Sequence, residues 1–370
     1  MALSRLARLA ATQLAVRDGR LVRTLLLGDP LRPDNPPLGR LLGDGLDARL
    51  FTDLADLAPG RMVTAADRFF IRTACPDAAD RLRRWTIALG GRVRTAASLT
   101  PDALNRQAVP MGTHLLECAG NTNPNNFGLL SAAEWRGVPM AAVLDRVQPL
   151  RGDFRVLITG IDDEQRPSRT SIPGASWIFA REDLERAGAF LATHMNDAAL
   201  APHHGAPIRL VVPGWYACAC IKWVNRIDLV DVDAEATSQM QEFAARTHQP
   251  AGARLANAFA PATIDVAAMP IRVEQWEVDR RPLYRVVGIV WGGPRPADAL
   301  QIRFRTDEAW VDVSDYDPPK TTATWSLWEH LWRPAEARRY HLVVRAKDPN
   351  IRTRRLDVFF YVRAVDITDV

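Results

Sequence analysis

Residues 264–370 alternate repeatedly between apolar and polar side chains, and turn residues interrupt this pattern at intervals of about ten residues. Because neighbouring side chains on a strand point to opposite faces of a sheet, an alternation with a period of two predicts strands with one buried face. Short strands at this spacing predict an antiparallel β-sandwich. The alternation is seen in segments 271–276, 284–290, 300–304, 340–344 and 358–362.

The central part of the chain, residues 61–235, has a different pattern. Short apolar runs typical of strands are separated there by segments typical of helices. We therefore expect a mixed α+β domain in this region. The expected strands are 84–89, 114–117, 154–158, 208–212 and 227–232, and the expected helices are 101–106 and 132–144.

Two further segments flank the central region. Residues 1–60 contain short Leu-rich pieces broken by Pro and Gly, which is typical of an extended arm that wraps a larger core. Residues 236–263 are polar and Ala-rich with few large apolar side chains, which indicates a connector with one helix. The expected order is therefore an arm, an α+β domain, a connector and a sandwich.

Composition limits the class of protein. The chain has 370 residues, of which 47% are hydrophobic and 24% charged, as in ordinary folded domains. The net charge is only +4 and the charges are interspersed, which argues against nucleic-acid binding. The sequence shows no signal peptide and no apolar run long enough for a membrane span. With only four cysteines, a reducing compartment is expected, so we predict a cytoplasmic protein, or a periplasmic one if a signal has been removed.

The strongest local signal is a cysteine at the end of an expected strand. Segment 114–117 leads directly to Cys118, and a loop rich in Gly, Asn and Pro follows. A thiol in such a place is suited to nucleophilic attack or to binding a soft metal. The alternative is a buried structural cysteine, since free cysteines are among the most buried residues.

A second cluster, in residues 201–223, contains His203, His204, Arg209 and Lys222 around an expected strand and a Pro-Gly turn. Cations that converge on a loop with free backbone donors suit a phosphate group, and the alternative is a solvated surface. The nearby Cys218 and Cys220 do not make a four-ligand zinc site. The chain has no zincin, Rossmann, P-loop or serine-hydrolase motif.

These pieces stand in a recognisable order. FFIR (69–72) is followed by ECAGN (117–121), SIP (171–173), HGAPIR (204–209), VVPGW (211–215) and IKW (221–223), and then by the alternating tail. In this order and spacing the chain resembles the sulfite oxidase family of molybdopterin enzymes. The resemblance covers residues 64–365. It implies a mixed α+β molybdopterin-binding domain followed by an immunoglobulin-like β-sandwich, to which GIVWGG (288–293) and YHLVVRAKD (340–348) are similar.

The resemblance also implies a cofactor and the residues that hold it. The cofactor is molybdenum bound to one molybdopterin, and Cys118 matches the thiolate that ligates the metal. Arg72 matches a residue at the catalytic centre that also contacts the cofactor. The other residues implied to bind the cofactor are Phe70, Asn121, Asp162, His204, Arg209, Cys220 and Lys222.

Four departures from the family pattern matter, and the first of them removes one expected cofactor contact. Thr73-Ala74 follows Arg72 where the family has Asn-His, and Thr122-Asn123 replaces a basic pair after the cysteine loop. An expected pocket tyrosine is absent, with Phe243 near its position, and Cys218-Ala219-Cys220 replaces a basic stretch. The resemblance therefore supports the cofactor more strongly than it supports any particular substrate.

The resemblance implies an oxidoreductase that transfers an oxygen atom to or from a small substrate, with a sulfur compound expected. The chain has no haem-attachment motif, so electrons are expected to pass to or from a separate partner such as a c-type cytochrome. Six of the eleven tryptophans lie in the tail, which favours a homodimer through the sandwich. The alternative function is a non-catalytic binding or assembly protein that keeps the fold.

Overall fold

The computed structural model describes residues 19–25, 27–28, 36–73, 85–121, 127–161, 175–351, 353 and 363–370. In these residues the chain is mostly β-structure with four short helices. All but one of the strand pairings in the described part are antiparallel, the exception being one parallel pair. No helix in the described residues is both long enough and apolar enough to cross a bilayer.

The first half of the chain forms three small sheets. The elements of this part of the chain are β1 (Arg20–Leu25), β2 (Leu42–Asp44), β3 (Asp47–Leu50), β4 (Ile71–Arg72), β5 (Ile87–Gly91), β6 (Ala97–Leu99), α1 (Pro101–Gln107), β7 (Val109–Glu117), β8 (Leu130–Pro139), α2 (Met140–Leu144), β9 (Phe154–Gly160), β10 (Ser176–Phe179), α3 (Arg181–Ala187), β11 (Phe190–Met195), β12 (Ala198–Ala199), β13 (Arg209–Val211) and β14 (Val224–Asp231), of which β1 joins a C-terminal sheet. The sheet orders are β2-β3-β4, β10-β9-β14-β5-β6 and β12-β11-β8-β7, and β13 also pairs with β11.

The second half begins with a short helix and continues as two sheets. Its elements are α4 (Ser238–Glu242), β15 (Ala267–Val278), β16 (Arg281–Trp291), β17 (Leu300–Arg303), β18 (Val311–Asp312), β19 (Asp315–Tyr316), β20 (Ser326–Trp332), β21 (Arg339–Ala346) and β22 (Arg363–Asp366). One sheet has the order β1-β15-β16-β20-β19 and the other has the order β18-β17-β21-β22. The predicted strands at 271–276, 284–290, 300–304 and 340–344 are confirmed by β15, β16, β17 and β21, and segment 358–362 lies outside the described residues.

The longest hairpin, β15-β16, is buried on both faces. Val286 and Val290 belong to the core between the two C-terminal sheets, whereas Val287 and Ile289 belong to the core shared with the first half of the chain. Two hydrogen bonds join the halves near the cysteine loop: Trp291 Nε1 donates to Glu117 Oε2 (2.8 Å), and Leu115 N–H donates to Ala323 O (2.8 Å). The C-terminal sheets therefore support the strand that carries the cysteine.

The helix predicted over residues 132–144 is mostly wrong. Residues 130–139 form strand β8, and only Met140–Leu144 are helical. Strand β8 lies between β7 and β11, and its exposed Glu134 and Arg136 alternate with buried Trp135 and Val138. The alanines favour a helix in isolation, but burial in the middle of a sheet outweighs that preference. Helix α1 confirms the prediction for 101–106.

The predicted N-terminal arm contributes to both halves. Strand β1 pairs with β15 in the C-terminal sheet, and the hairpin β2-β3 pairs with β4, which ends at Arg72. Thr52 N–H donates to Gly128 O (2.8 Å), which ties the arm to the segment before β8. This part of the chain therefore helps to position the region around Arg72.

The buried His330 is expected to make the stability of the fold depend on pH. Its Nδ1 lies 3.2 Å from the Ser314 N–H that donates to it, and burial lowers the pKa of His330 from 6.5 to about 4. Because the buried ring resists protonation, the contribution of His330 to the free energy of unfolding is complete above pH 6.5. It is lost as the pH falls toward 4. We expect wild-type protein to lose about 2–3 kcal/mol more than His330→Gln between pH 6.5 and 4.5, measured by urea unfolding.

The exposed His341 on β21 provides the matched control. His341→Gln should keep the wild-type dependence on pH. Equal acid destabilisation in wild type and His330→Gln would contradict this account of His330.

Candidate active site

The cysteine loop starts where β7 ends and is closed by backbone and side-chain hydrogen bonds. Cys118 N–H donates to Leu129 O (3.0 Å), and Asn121 N–H donates to Cys118 O (2.9 Å). The buried Asn121 side chain donates to Phe127 O (3.1 Å) and accepts from Leu129 N–H (3.2 Å). Asn121 therefore holds the loop in shape, and its predicted contact with a cofactor stays a prediction.

Cys118 lies at a cavity of about 430 Å³. Gly120 N–H donates to its Sγ (3.3 Å). Burial raises the pKa of the Cys118 thiol, whereas the Gly120 N–H and the guanidinium groups of Arg72 and Arg246 act to lower it. A thiol that is partly desolvated and faces two cations is suited to act as a thiolate once a metal binds.

A buried arginine forms another wall of this cavity. Arg209 begins β13 and is only 3% exposed. Its Nη1 donates to His204 O (3.1 Å) and its Nη2 donates to Cys220 O (3.3 Å), while its Cζ lies 5.6 Å from the ring centre of Trp135. Burial lowers the pKa of Arg209 to about 10, so it stays charged at neutral pH.

The Arg209 side chain has one donor without a partner. Its Nε is buried and forms no hydrogen bond with the described residues. A buried donor that is left unpaired costs free energy, so such an atom next to a cavity marks a place for an acceptor. A buried guanidinium facing a cavity matches the phosphate of a pterin cofactor.

Lys222 lies beside this arginine. Its Nζ donates to Arg72 O (3.2 Å) and to His203 O (2.8 Å), and it lines the same cavity. A side chain on Gly205 would come within 3.1 Å of Cβ atoms of both Arg209 and Lys222, and Gly205 has a φ of +103°. Glycine at this position lets the two cations lie close together.

His204 was expected to be a charged ligand of the phosphate, and the structure places it differently. Its Nε2 lies 2.9 Å from Ala66 O, and burial lowers the pKa of His204 to about 3. The neutral ring packs against Phe69 and does not line the cavity. His204 supports the site through its backbone oxygen, which accepts from Arg209, and a contact with the cofactor stays a prediction.

The remaining predicted site residues either line the cavity or lie outside the described residues. Phe70, Arg72 and Cys220 line the cavity, and Cys218 lies there too, close enough to Cys118 that the two thiols interact electrostatically. Cys220 Sγ accepts from Val212 N–H (3.4 Å). Asp162 lies outside the described residues.

One wall of the cavity was anticipated from the sequence only at Phe243, which lies near the position of the expected pocket tyrosine. Gln239, Glu242, Phe243 and Arg246 line it from α4 and the turn that follows. Their spacing of three and four residues is that of a single helix face, which was the available signal. The Ala-rich composition of this segment favoured a plain connector instead.

A larger cavity of about 780 Å³ lies elsewhere, beside residues 52–68. Among the described residues, its wall holds no cysteine or histidine. Cavity size therefore does not identify the candidate site in this protein, whereas the chemistry of the side chains does. No group of three His, Cys, Asp or Glu side chains suited to hold a metal ion occurs in the described residues.

Comparison with known proteins gives the same assignment. Residues 73–238 match the oxidoreductase molybdopterin binding domain. Sulfite oxidase of Gallus gallus is 26% identical over 321 residues, which cover 76% of this chain and 66% of that protein. An NADH nitrate reductase of Spinacia oleracea is 25% identical over 251 residues, which cover 61% of this chain and 24% of that protein.

A solved structure shares the fold. The sulfane dehydrogenase SoxCD from Paracoccus pantotrophus aligns with a TM-score of 0.65 and 17% identity, covering 93% of this chain and 95% of that chain. The matched domain and the relatives define a molybdopterin-binding oxidoreductase. The chain is similar to sulfite oxidases among these proteins, and Mo-molybdopterin is the cofactor that its domain implies.

Arg209 provides a test of cofactor binding. Arg209→Met should reduce the molybdenum and pterin content of purified protein by about tenfold or more, because the charge and its hydrogen-bond donors are lost. Elemental mass spectrometry and pterin fluorescence measure the two contents, and circular dichroism checks the fold. Arg186→Met, an exposed change on α3, is the control. Full cofactor content in folded Arg209→Met would contradict a role for Arg209 in binding.

Proposed function

We propose that this protein transfers an oxygen atom to or from a small sulfur-containing substrate and exchanges electrons with a separate partner. The observation that carries the proposal is the shared cavity of Cys118 and Arg209, which is lined by one cysteine and by one buried arginine with an unpaired donor. These two groups suit the two ends of a molybdenum–pterin cofactor, the metal and the phosphate.

The residues of the chain then have separate tasks. Cys118 would ligate the metal, and the partly exposed position of its thiol leaves a side open toward the cavity. Arg209 and Lys222 would hold the phosphate, and Phe70 would cover part of the cavity wall. When bound, the cofactor supplies oxygen-atom transfer coupled to two electrons.

A sulfur substrate is favoured by the relatives. Two of the similar proteins are sulfite oxidases, from Gallus gallus and Macaca fascicularis, and the similar structure is that of a sulfane dehydrogenase. The nitrate reductases act on a different oxyanion and match a smaller share of the chain. For sulfite, the balanced reaction takes an oxygen atom from water and releases two electrons and two protons. The electrons would pass to a separate acceptor, such as a c-type cytochrome.

The architecture that we propose for this function is an α+β cofactor domain followed by an immunoglobulin-like sandwich that forms a homodimer. The packed pair of C-terminal sheets supports the sandwich. The tryptophans support the dimer less, because Trp291, Trp325 and Trp328 are buried in the protein itself. Sedimentation showing a monomer at micromolar concentration would exclude the dimer.

The proposed function is tested with protein from a host that makes the cofactor. We expect about one molybdenum atom per chain and oxidation of sulfite with an artificial electron acceptor. Cys118→Ser replaces a soft thiolate by a hydroxyl of similar size, so activity should fall by about a hundredfold or more. Elemental mass spectrometry and a spectrophotometric assay measure the two properties.

Ser98→Ala on β6, an exposed change, is the control and should behave as wild type. Metal-free protein from a competent host would support a non-catalytic binding protein instead. Metal-loaded protein that is inactive toward a panel of sulfur substrates would contradict the proposed substrate class.

A further inference from the structure

Three thiols lie on the wall of one cavity. Cys118, Cys218 and Cys220 all line it, and all three are free cysteines. Cys118 is partly exposed, whereas Cys218 and Cys220 are 8% and 2% exposed. The two buried thiols belong to Cys218-Ala219-Cys220, which replaces a basic stretch that is usual in the sulfite oxidase family. The wall therefore contains two more thiols than a single metal ligand requires.

Cys218 is held in place by the turn that carries it. It lies in the 3-10 turn Ala217–Ala219. Tyr216 N–H donates to Ala262 O (2.9 Å), and the Gln239 side chain donates to Cys218 O. The backbone that carries the Cys218 thiol is therefore fixed at the cavity from two sides.

Cys220 has a different partner. Its Sγ accepts from Val212 N–H (3.4 Å) and donates to Val212 O (3.8 Å). The Cys218 sulfur instead lies near the N–H groups of Cys218 and Ala219, which act to lower its pKa. Because the Cys220 sulfur is engaged with the backbone after β13, Cys218 is the more available partner for Cys118.

Cys118 lies near Cys218 in space. Burial raises the pKa of the Cys218 thiol, and Cys118 raises that pKa further, by more than Cys220 does. Cys220 is only two residues from Cys218 along the chain, and the interaction between two charges weakens with distance. Cys118 therefore acts on Cys218 as a close neighbour, although the two are far apart in the sequence.

Two neighbouring thiols can be oxidised as a pair by a small disulfide. The Cys118 thiolate would attack one sulfur of a low-molecular-weight disulfide, whose S–S bond breaks and releases one small thiolate. The Cys218 thiolate then attacks the Cys118 sulfur and displaces the second small thiolate. The products are one protein disulfide and two small thiols, which carry the two protons lost by Cys118 and Cys218.

The order of these two steps follows from the surroundings of Cys118. Its sulfur is partly exposed, so a small disulfide in solution reaches it more easily than it reaches the buried Cys218. Gly120 N–H donates to the same sulfur (3.3 Å), which favours the reactive thiolate.

We propose that Cys118 and Cys218 form a disulfide in the cofactor-free protein and that this bond prevents insertion of the cofactor until a thiol reductant removes it. The disulfide consumes the thiolate that would ligate the metal. Once a metal binds Cys118, that sulfur is no longer free to exchange, so the loaded protein is protected. This inference rests on the cofactor-binding part of the proposed function and does not depend on the substrate.

The first measurement is peptide mapping by mass spectrometry. The full chain, purified with and without cofactor, is incubated with oxidised glutathione, and its free thiols are then alkylated. Trypsin releases Cys118 in peptide 107–136, whereas Cys218 and Cys220 share peptide 210–222. The cofactor-free protein should give these two peptides joined by a disulfide, and the loaded protein should give them separately. Circular dichroism checks that the cofactor-free protein is folded.

Variants identify the partner of Cys118, because two cysteines share one peptide. Cys218→Ala should abolish the joined peptides. Cys220→Ala is the matched control, since it removes a thiol from the same cavity wall, and it should give the joined peptides in the wild-type amount. Joined peptides that persist in Cys218→Ala, or folded cofactor-free wild type that gives none, would overturn the pairing.

The second measurement is uptake of Mo-molybdopterin by the cofactor-free proteins, followed as bound molybdenum. Oxidised wild type should take up about tenfold less than wild type treated with dithiothreitol, because its metal ligand is blocked. Cys218→Ala should take up the same amount with and without dithiothreitol. Equal uptake by oxidised and reduced wild type would overturn the block on insertion.

The outcomes also separate this inference from the proposed function. A disulfide between Cys118 and Cys218 in a protein unable to act on sulfur compounds would support the pairing and overturn only the substrate class. A protein that oxidises sulfite but forms no such disulfide when cofactor-free would support the proposed function and overturn the pairing.

Discussion

The buried charge of Arg209 is the constraint on which the candidate site depends. A guanidinium group that is 3% exposed must be compensated, since an unpaired buried charge is strongly unfavourable. Two backbone oxygens and the ring of Trp135 compensate part of this charge, and its Nε has no partner among the described residues. Strand β8 supplies Trp135, the 3-10 turn Pro202–His204 supplies one oxygen, and the segment after Ala217–Ala219 supplies the other. Packing around one cation therefore brings three distant segments together.

The same arrangement separates two kinds of positive charge. Arg209 is buried and held by backbone oxygens, whereas Arg72 and Arg246 are exposed beside Cys118. A buried cation suits a ligand that stays bound, because binding and release of an anion there require large changes in solvation. Exposed cations suit a ligand that enters and leaves with each turnover. The cavity therefore combines one buried cation with two exposed ones.

Several elements followed from local pattern alone. The alternation of the tail predicted β15, β16, β17 and β21, because a period of two has one structural solution on a half-buried sheet. Residues 132–144 were misread, because the alanines of β8 carry a helical preference that burial between β7 and β11 overrides. Arg246 was not anticipated because its segment is short and polar, and its position beside the cysteine loop is seen only in the folded chain.

The sequence by itself determined the order of motifs, and with it the resemblance to sulfite oxidases, the implied cofactor and the prediction that Cys118, Arg209 and Lys222 hold it. These conclusions need only residue types at short spacings, which the linear chain displays directly. Tertiary structure alone decided that His204 is neutral and turned to Ala66, that Asn121 closes the loop, and that Arg246 lies beside Cys118. Each of these depends on which segments pack together and on how much water they exclude, and neither property can be read from neighbouring residues in a sequence.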